Sequence, residues 1–433
     1  MGRPPGAEIM VRKRLRLHSL ALLVIIGHLL LPVSGIAAQA KHIILLIGDG
    51  MGPSHVGAAW VYSNRVLGKE LHMVEVMKAG RTAYLVNDAA DALVTESAAA
   101  ATQIATGVKV TTGAISMTAD GRTPLKTILE IAKDKGMATG LVTTSGITDA
   151  TPASFAAHVA HRSDEASVAV QEIQLGVDVL LGGRKQFFLS EAAGGMRKDD
   201  RNLLEEARTA GYILVGTAAE LQQATGAKLL GLFNMGNMAF EIDRAKTGEP
   251  SLAEMTAKTL EVLAKNPKGF FAMIEGGRID HAAHRNDAPA TIRDTLAFDE
   301  AVGAVLEFQR KNPDTLVIVT ADHETGGMAV IGHSKGSPGT DLSAIQKAQA
   351  SFEGGVGLVV EAQDEVVFGA QAQVVLRQVR TRVEVVVRLG RCSSHHVQSS
   401  RRSSPLLARI GACPAAKRYQ LPRALARLPA DPR

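Results

Sequence analysis

From residue 41 to about residue 330, short apolar runs alternate with longer amphipathic stretches, the rhythm of an α/β chain. Residues 43–47 are continuously apolar and predict a buried strand, ending at Gly48-Asp49-Gly50-Met51-Gly52. Pro53-Ser54 opens a helix running to Arg65, and residues 81–86 alternate as a strand would. Residues 124–135 predict a helix with Pro near its start and Gly136 at its end. A strand over 140–144 follows, then a short helix from Thr151-Pro152 and another over 163–175. Residues 177–181 form a strand closing on Gly182-Gly183. Helices over 202–210 and 252–264 precede a strand over 270–274, which ends at Glu275-Gly276-Gly277. A long helix over 289–309 leads to a strand over 316–319 that runs into Thr320-Ala321-Asp322-His323. There is no internal repeat. The fold class predicted is α/β, with a mostly parallel sheet.

Three of these strands stop on a carboxylate: Asp49, Glu275 and Asp322. The carboxyl ends of parallel strands lie along one edge, where ligands bind. Two of the three acids are followed by glycines that let a ligand approach closely, so the pattern predicts one shared site. Asp280 and His284 are four residues apart, so one helical turn puts them on one face, with His281 between them. Asp322-His323 is an adjacent pair just after a strand. Carboxylate with imidazole is the ligand mix of zinc or a similar divalent ion. Asp, Glu and Thr oxygens suit Mg²⁺. Residues 93–106 carry Thr95-Glu96-Ser97 straight into Ala98-Ala99-Ala100-Ala101, which places Ser97 in the first turn of a helix. Two roles are open there: a plain cap, or a hydroxyl that binds or attacks phosphate beside unpaired backbone N–H groups. Arg162 follows Asp149-Ala150-Thr151-Pro152 and His158, and its guanidinium fork matches two phosphate oxygens.

Charge changes the picture mainly at the ends. The net charge of the 433 residues is +5, but residues 1–40 carry five Lys/Arg against one acid, and residues 371–433 thirteen against two. The stretch between them keeps 30 basic and 40 acidic residues, so basicity gives no support to nucleic acid as a specific partner. Arg12, Lys13, Arg14 and Arg16, an apolar run over 20–33 and Ala38-Gln39-Ala40 make a cleavable secretory signal over residues 1–40. Met10 stands where a start would put the basic cluster at once behind it. No other stretch is long and apolar enough to span a bilayer, so no stable span is expected after cleavage. Export predicts a periplasmic or secreted protein in an oxidising compartment. Both cysteines, Cys392 and Cys413, lie in the tail, leaving the body free of disulfides. From about residue 353 the helix/strand rhythm weakens into Arg- and Ser-rich sequence such as Arg401 to Pro405. Residues 353–433 thus read as a basic, atypical tail, disordered or from a shifted reading frame, and residues 41–352 as the catalytic domain.

At six places, in order, the chain resembles the alkaline phosphatase family: residues 43–52 (IILLIGDGMG), 94–107 (VTESAAAATQIATG), 149–162 (DATPASFAAHVAHR), 182–187 (GGRKQF), 274–284 (IEGGRIDHAAH) and 317–327 (VIVTADHETGG). The resemblance implies a three-layer sandwich with helices on both faces of the sheet. It implies hydrolysis of phosphate monoesters through a phosphoserine on Ser97, with Arg162 clamping the phosphoryl oxygens. It also implies that Asp49, Asp322 and His323 hold one zinc, that Asp280 and His284 hold a second, and that Asp49, Thr151 and Glu275 hold Mg²⁺. Family members are commonly homodimers. The chain departs from the family at Glu96, where Asp is usual. It also lacks a C-terminal histidine in a His-Thr-Gly context, which would complete the second zinc; His395-His396 lack that context. The alternatives are a catalytically impaired product that still binds metal or phosphate, and a related phosphodiesterase or sulfatase.

Overall fold

A computed structural model describes residues 40–332 and 339–354, and the backbone of three further strands between 373 and 398. The signal segment and most of the basic tail, including both cysteines, lie outside the described residues. Two compact units meet at Lys41/His42; the second carries everything that follows.

Seven strands form one all-parallel sheet: β1 (His42–Gly48), β2 (Ala138–Gly146), β3 (Val179–Gly183), β4 (Ile213–Val215), β5 (Leu229–Leu232), β6 (Phe270–Glu275) and β7 (Thr315–Ala321). Their order across the sheet is β4-β5-β3-β2-β6-β1-β7. The unbroken apolar runs of the central strands are explained by burial on both faces. Ile44, Leu46, Phe270, Ala272 and Ile274 point to one side, against the helices Leu252–Leu263 and Ala288–Lys311, where Met255, Leu260, Phe298, Val302 and Val305 meet them. Leu45, Ile47, Leu141, Leu180, Phe271 and Met273 point to the other, onto Leu129, Phe155, Ile173 and Leu203. Two cores on opposite faces of one sheet make the three-layer α/β sandwich. Emptying one of these sites, as in Phe298→Ala, removes a fully buried ring and costs about 3–5 kcal/mol. A second sheet is antiparallel, in the order β10-β9-β8, from Gln373–Val379 (β8), Arg382–Arg388 (β9) and His395–Gln398 (β10).

Three local expectations are corrected. Residues 81–86 are not a strand: Tyr84 is 94% and Val86 86% exposed, and no neighbouring strand pairs with the segment. Alternation alone does not make a strand where nothing supplies the ladder. The helix expected over 124–135 begins only at Ile128, because Thr127 and Glu130 form a reciprocal capping box that fixes its first turn. The helix from Pro53 ends at Tyr62 and continues as a π-helical turn, Ser63–Leu67, closed by Gly68 in the left-handed region.

Candidate active site and metal centre

The parallel register gathers the strand ends. Ile47 of β1 pairs with Glu275 of β6, and Gly48 pairs with Ala321 of β7. Asp49, Glu275 and Asp322 therefore emerge side by side from three adjacent strands, all buried. Asp49, Asp322 and His323 each offer one ligand atom within 4.8 Å of the others. Asp322 is fixed through Oδ1, which accepts from the amides of Gly50 (3.0 Å) and His323 (2.9 Å). Gly50 has φ 62, and a side chain there would meet Asp280 Oδ1 at 2.7 Å, so a turn this close to the second acid needs glycine.

Ser97 is the first residue of the Ser97–Thr106 helix. Its hydroxyl lies 3.1 Å from His323 Nε2 and 3.4 Å from Asp49 Oδ1. The cap is Glu96, whose carboxylate accepts from Ala98 N at 3.0 Å and Ala99 N at 2.8 Å. Those two amides are thus taken by the chain itself, which corrects the expectation of unpaired N–H groups beside Ser97. The alanines that follow are fully buried and leave no side chain to crowd the hydroxyl.

Arg162 sits one residue's reach from Ser97. Its Nη1 donates to Glu96 Oε2 (2.7 Å) and its Nη2 to Asp149 Oδ1 (2.9 Å). The longer Glu96 side chain therefore still holds the arginine. Burial pushes the Asp149 carboxyl up, but the Arg184 and Arg162 guanidiniums outweigh it and hold it well below the usual carboxylate range. His281 faces the same carboxylate, with Nε2 3.9 Å from Oδ2.

The Asp280–His284 pair is less closed. Both lie on the Arg278–His284 helix, as their spacing requires, with His284 Nε2 3.4 Å from Asp280 Oδ1. Asp280 is buried, whereas the His284 side chain is 68% exposed. Among the described residues no third Asp, Glu, His or Cys completes a compact ligand group with them. Two residues given no role from sequence frame the site. Thr325 donates to Asp280 Oδ1 at 2.6 Å and lies 3.1 Å from His323 Nδ1, so one hydroxyl touches both ligand pairs. Arg184 binds Asp149. Each follows the carboxyl end of a parallel strand, the position that had already singled out the acids.

The donor set fits divalent cations. Asp322 Oδ2, Thr151 Oγ1 and both Glu275 oxygens are buried without a well-formed hydrogen bond. Buried polar atoms are otherwise nearly always satisfied. Burial, then the neighbouring charges of Asp322, Asp280 and Glu275, push the Asp49 carboxyl well up. Burial raises Glu275 to about 8; Asp149 and Asp322 add to the shift, while the Thr143 and Thr151 hydroxyls oppose it. Asp322 is raised by burial against the opposing pull of His323 and the Gly50 amide. Packed anions without a cation from their own chain make a site for hard or borderline metal ions.

The alkaline phosphatase family model matches residues 40–384. Alkaline phosphatase 3 of Bacillus subtilis is 40% identical over 304 residues, covering 67% of this chain and 63% of the relative. Alkaline phosphatase of Escherichia coli is 37% identical, covering 73% of this chain and 76% of the relative. The crystal structure of Thermus thermophilus alkaline phosphatase superposes with a TM-score of 0.69 at 37% identity, over 73% of this chain and 67% of that one. The chain thus spans less than two thirds of the length of the Bacillus relative. With an all-parallel sheet whose strand ends carry the matched residues, the chain belongs to the alkaline phosphatase family.

Proposed function

We propose that the protein hydrolyses phosphate monoesters through a phosphoserine on Ser97. What carries the reading is one convergence: the Ser97 hydroxyl lies within 3.4 Å of two members of the Asp49/Asp322/His323 group, and the adjacent Glu96 holds Arg162. Ser97 Oγ attacks phosphorus as the bond to the ester oxygen breaks, and the alcohol leaves with a proton. Water then cleaves the phosphoserine, releasing phosphate and restoring the hydroxyl. Arg162 is held along one edge by Glu96 and Asp149, and its remaining N–H groups grip phosphoryl oxygens. Asp49, Asp322 and His323 would hold one zinc, Asp280 and His284 a second, and Asp49, Thr151 and Glu275 Mg²⁺. Bound divalent ions lower the pKa of a hydroxyl or water and offset phosphoryl charge. Export to the periplasm or medium, and a homodimer, complete the proposal. Among the described residues no helix is long and apolar enough to cross a membrane.

The exposed, two-ligand Asp280–His284 pair sustains a second reading, an impaired chain that binds metal or phosphate but turns over slowly, because catalytic zinc normally has three protein ligands. Turnover of p-nitrophenyl phosphate with added zinc, with and without a chelator, decides between them. Zinc-dependent turnover supports the first reading; its absence with a full metal count supports the second. Faster turnover of bis-p-nitrophenyl phosphate than of the monoester would displace both in favour of a diesterase.

A further inference from the structure

The 182–187 run matches the family, yet the chemistry above uses none of its residues. Arg184 stands out within it. Its backbone has φ 62, a left-handed conformation uncommon for any residue with a side chain. Its stem fills space left by Gly146, where an added Cβ would fall 2.1 Å from Arg184 Cδ. Its guanidinium spans three acceptors from three parts of the chain: Nε donates to Asn237 Oδ1 at 2.9 Å, Nη1 to Glu165 Oε2 at 2.7 Å, and Nη2 pairs with Asp149 Oδ2 at 2.9 Å. Glu165 is itself fixed by the Thr148 hydroxyl at 2.7 Å. A strained backbone and a glycine hole that together aim one fork at a buried carboxylate are features that cluster at functional sites.

We propose that Arg184 is a positioning residue that acts through Asp149 on Arg162, and so sets the affinity for the phosphoryl group. The inference rests on the phosphatase reading. The two oxygens of Asp149 are divided between the two arginines, Oδ1 to Arg162 and Oδ2 to Arg184, with the Ala150 amide also on Oδ1 at 2.8 Å. Without Arg184, the remaining cation near Oδ2 is His281 at 3.9 Å, and the carboxylate is free to turn about its Cβ–Cγ bond. Arg162 then loses one of the two anchors that orient its fork. A small misplacement of a binding group, remote from the chemistry, costs up to about a hundredfold.

The test compares wild type, Arg184→Met, Arg184→Lys and Gly146→Ala, all with zinc and magnesium supplied. The readouts are the inhibition constant of inorganic phosphate, KM and kcat for p-nitrophenyl phosphate, and melting temperature. Arg184→Met weakens phosphate binding by about tenfold or more. Lysine restores part of it, because a point charge reaches Asp149 but does not span three acceptors. Gly146→Ala crowds the Arg184 stem and shifts phosphate affinity the same way, by less. A role in stability alone lowers the melting temperature and leaves phosphate affinity within twofold of wild type, which overturns the proposal. If Arg184→Met does not fold, the lysine and alanine variants decide by the same measure. Wild type that neither binds phosphate nor turns over the ester takes down the phosphatase reading and this one together. Wild type that does both, beside an Arg184→Met chain that still binds phosphate normally, takes down this one alone.

Discussion

Two groups of buried carboxylates share the cleft and are treated in opposite ways. Asp149 receives its positive charge from the chain: Arg162 and Arg184 bind one oxygen each and hold the group ionised. Asp49, Glu275 and Asp322 receive almost none; burial and their mutual repulsion push all three up. The first group is complete as folded, and its task is to orient a guanidinium. The second is complete only when a cation arrives from solution. Burying an unpaired charge is costly enough that a site of this kind is either protonated or loaded. The protein thus separates a permanent anion-binding arm from a conditional, metal-dependent one, and Ser97 stands where they meet.

The largest effect is expected at that junction. Ser97→Ala removes the atom that accepts the phosphoryl group and should lower turnover by at least about a thousandfold, while phosphate binding by the arginine arm and metal binding by the carboxylates persist. Undiminished turnover would remove Ser97 from the nucleophile's role. Next comes removal of metal, which should act on one group only. In the chelated chain Glu275 keeps its proton to about pH 8, whereas the unfolded chain loses it near 4.5. The folded state therefore binds more protons across that window, and stability falls as pH rises from about 4.5 to about 8, by at most about 1.4 kcal/mol per pH unit for each such group. With zinc and magnesium present these carboxylates are ionised ligands and the loss disappears. The gap in melting temperature between loaded and chelated protein should widen from pH 5 to pH 9; a gap that stays constant would mean that the acids do not hold the ions.

What was legible in the sequence follows the same division. The acids at the strand ends were readable because a fully buried parallel strand is a plain apolar run, and what stops it stands out. Asp49, Glu275 and Asp322 come together as that rule requires. Spacing was enough to place Asp280 and His284 on one helix face. The arrangements that depend on contacts between distant segments were not readable. Nothing local marks Thr325 as the hydroxyl between Asp280 and His323, or Arg184 as the partner of Asp149, 35 residues before it. The short strands Ile213–Val215 and Leu229–Leu232 went unseen because three or four residues carry too little periodicity. At residues 81–86 the alternation was present and the pairing partner was not.

A third comparison, smaller in effect, sets His323 against His284. His323 is mostly enclosed and belongs to a compact group of three ligands, whereas His284 is 68% exposed beside a single acid. His323→Ala should remove about one zinc per chain and most turnover, because two remaining ligands rarely hold catalytic zinc. His284→Ala should change the metal count less, because the pair it leaves is already open. Metal content after gel filtration measures both. Equal losses would mean that His284 has a further partner and that the second site is as closed as the first.

The smallest expected effect concerns Glu96, which belongs to the arginine arm and also caps the nucleophile's helix. Its carboxylate accepts from Ala98, Ala99 and Gly113 amides and from Arg162, and although burial opposes it, these four donors lower its pKa. Aspartate is among the preferred caps, so Glu96→Asp can retain an amide of the first turn while its shorter stem withdraws from Arg162 and Gly113. Stability should therefore change by no more than about 1 kcal/mol. The KM for p-nitrophenyl phosphate should rise about threefold with kcat nearly unchanged, the mark of lost binding that is uniform between ground and transition states. A drop in melting temperature with KM unmoved would instead make Glu96 a helix cap alone, and the orientation of Arg162 would then rest on Asp149 and its second arginine.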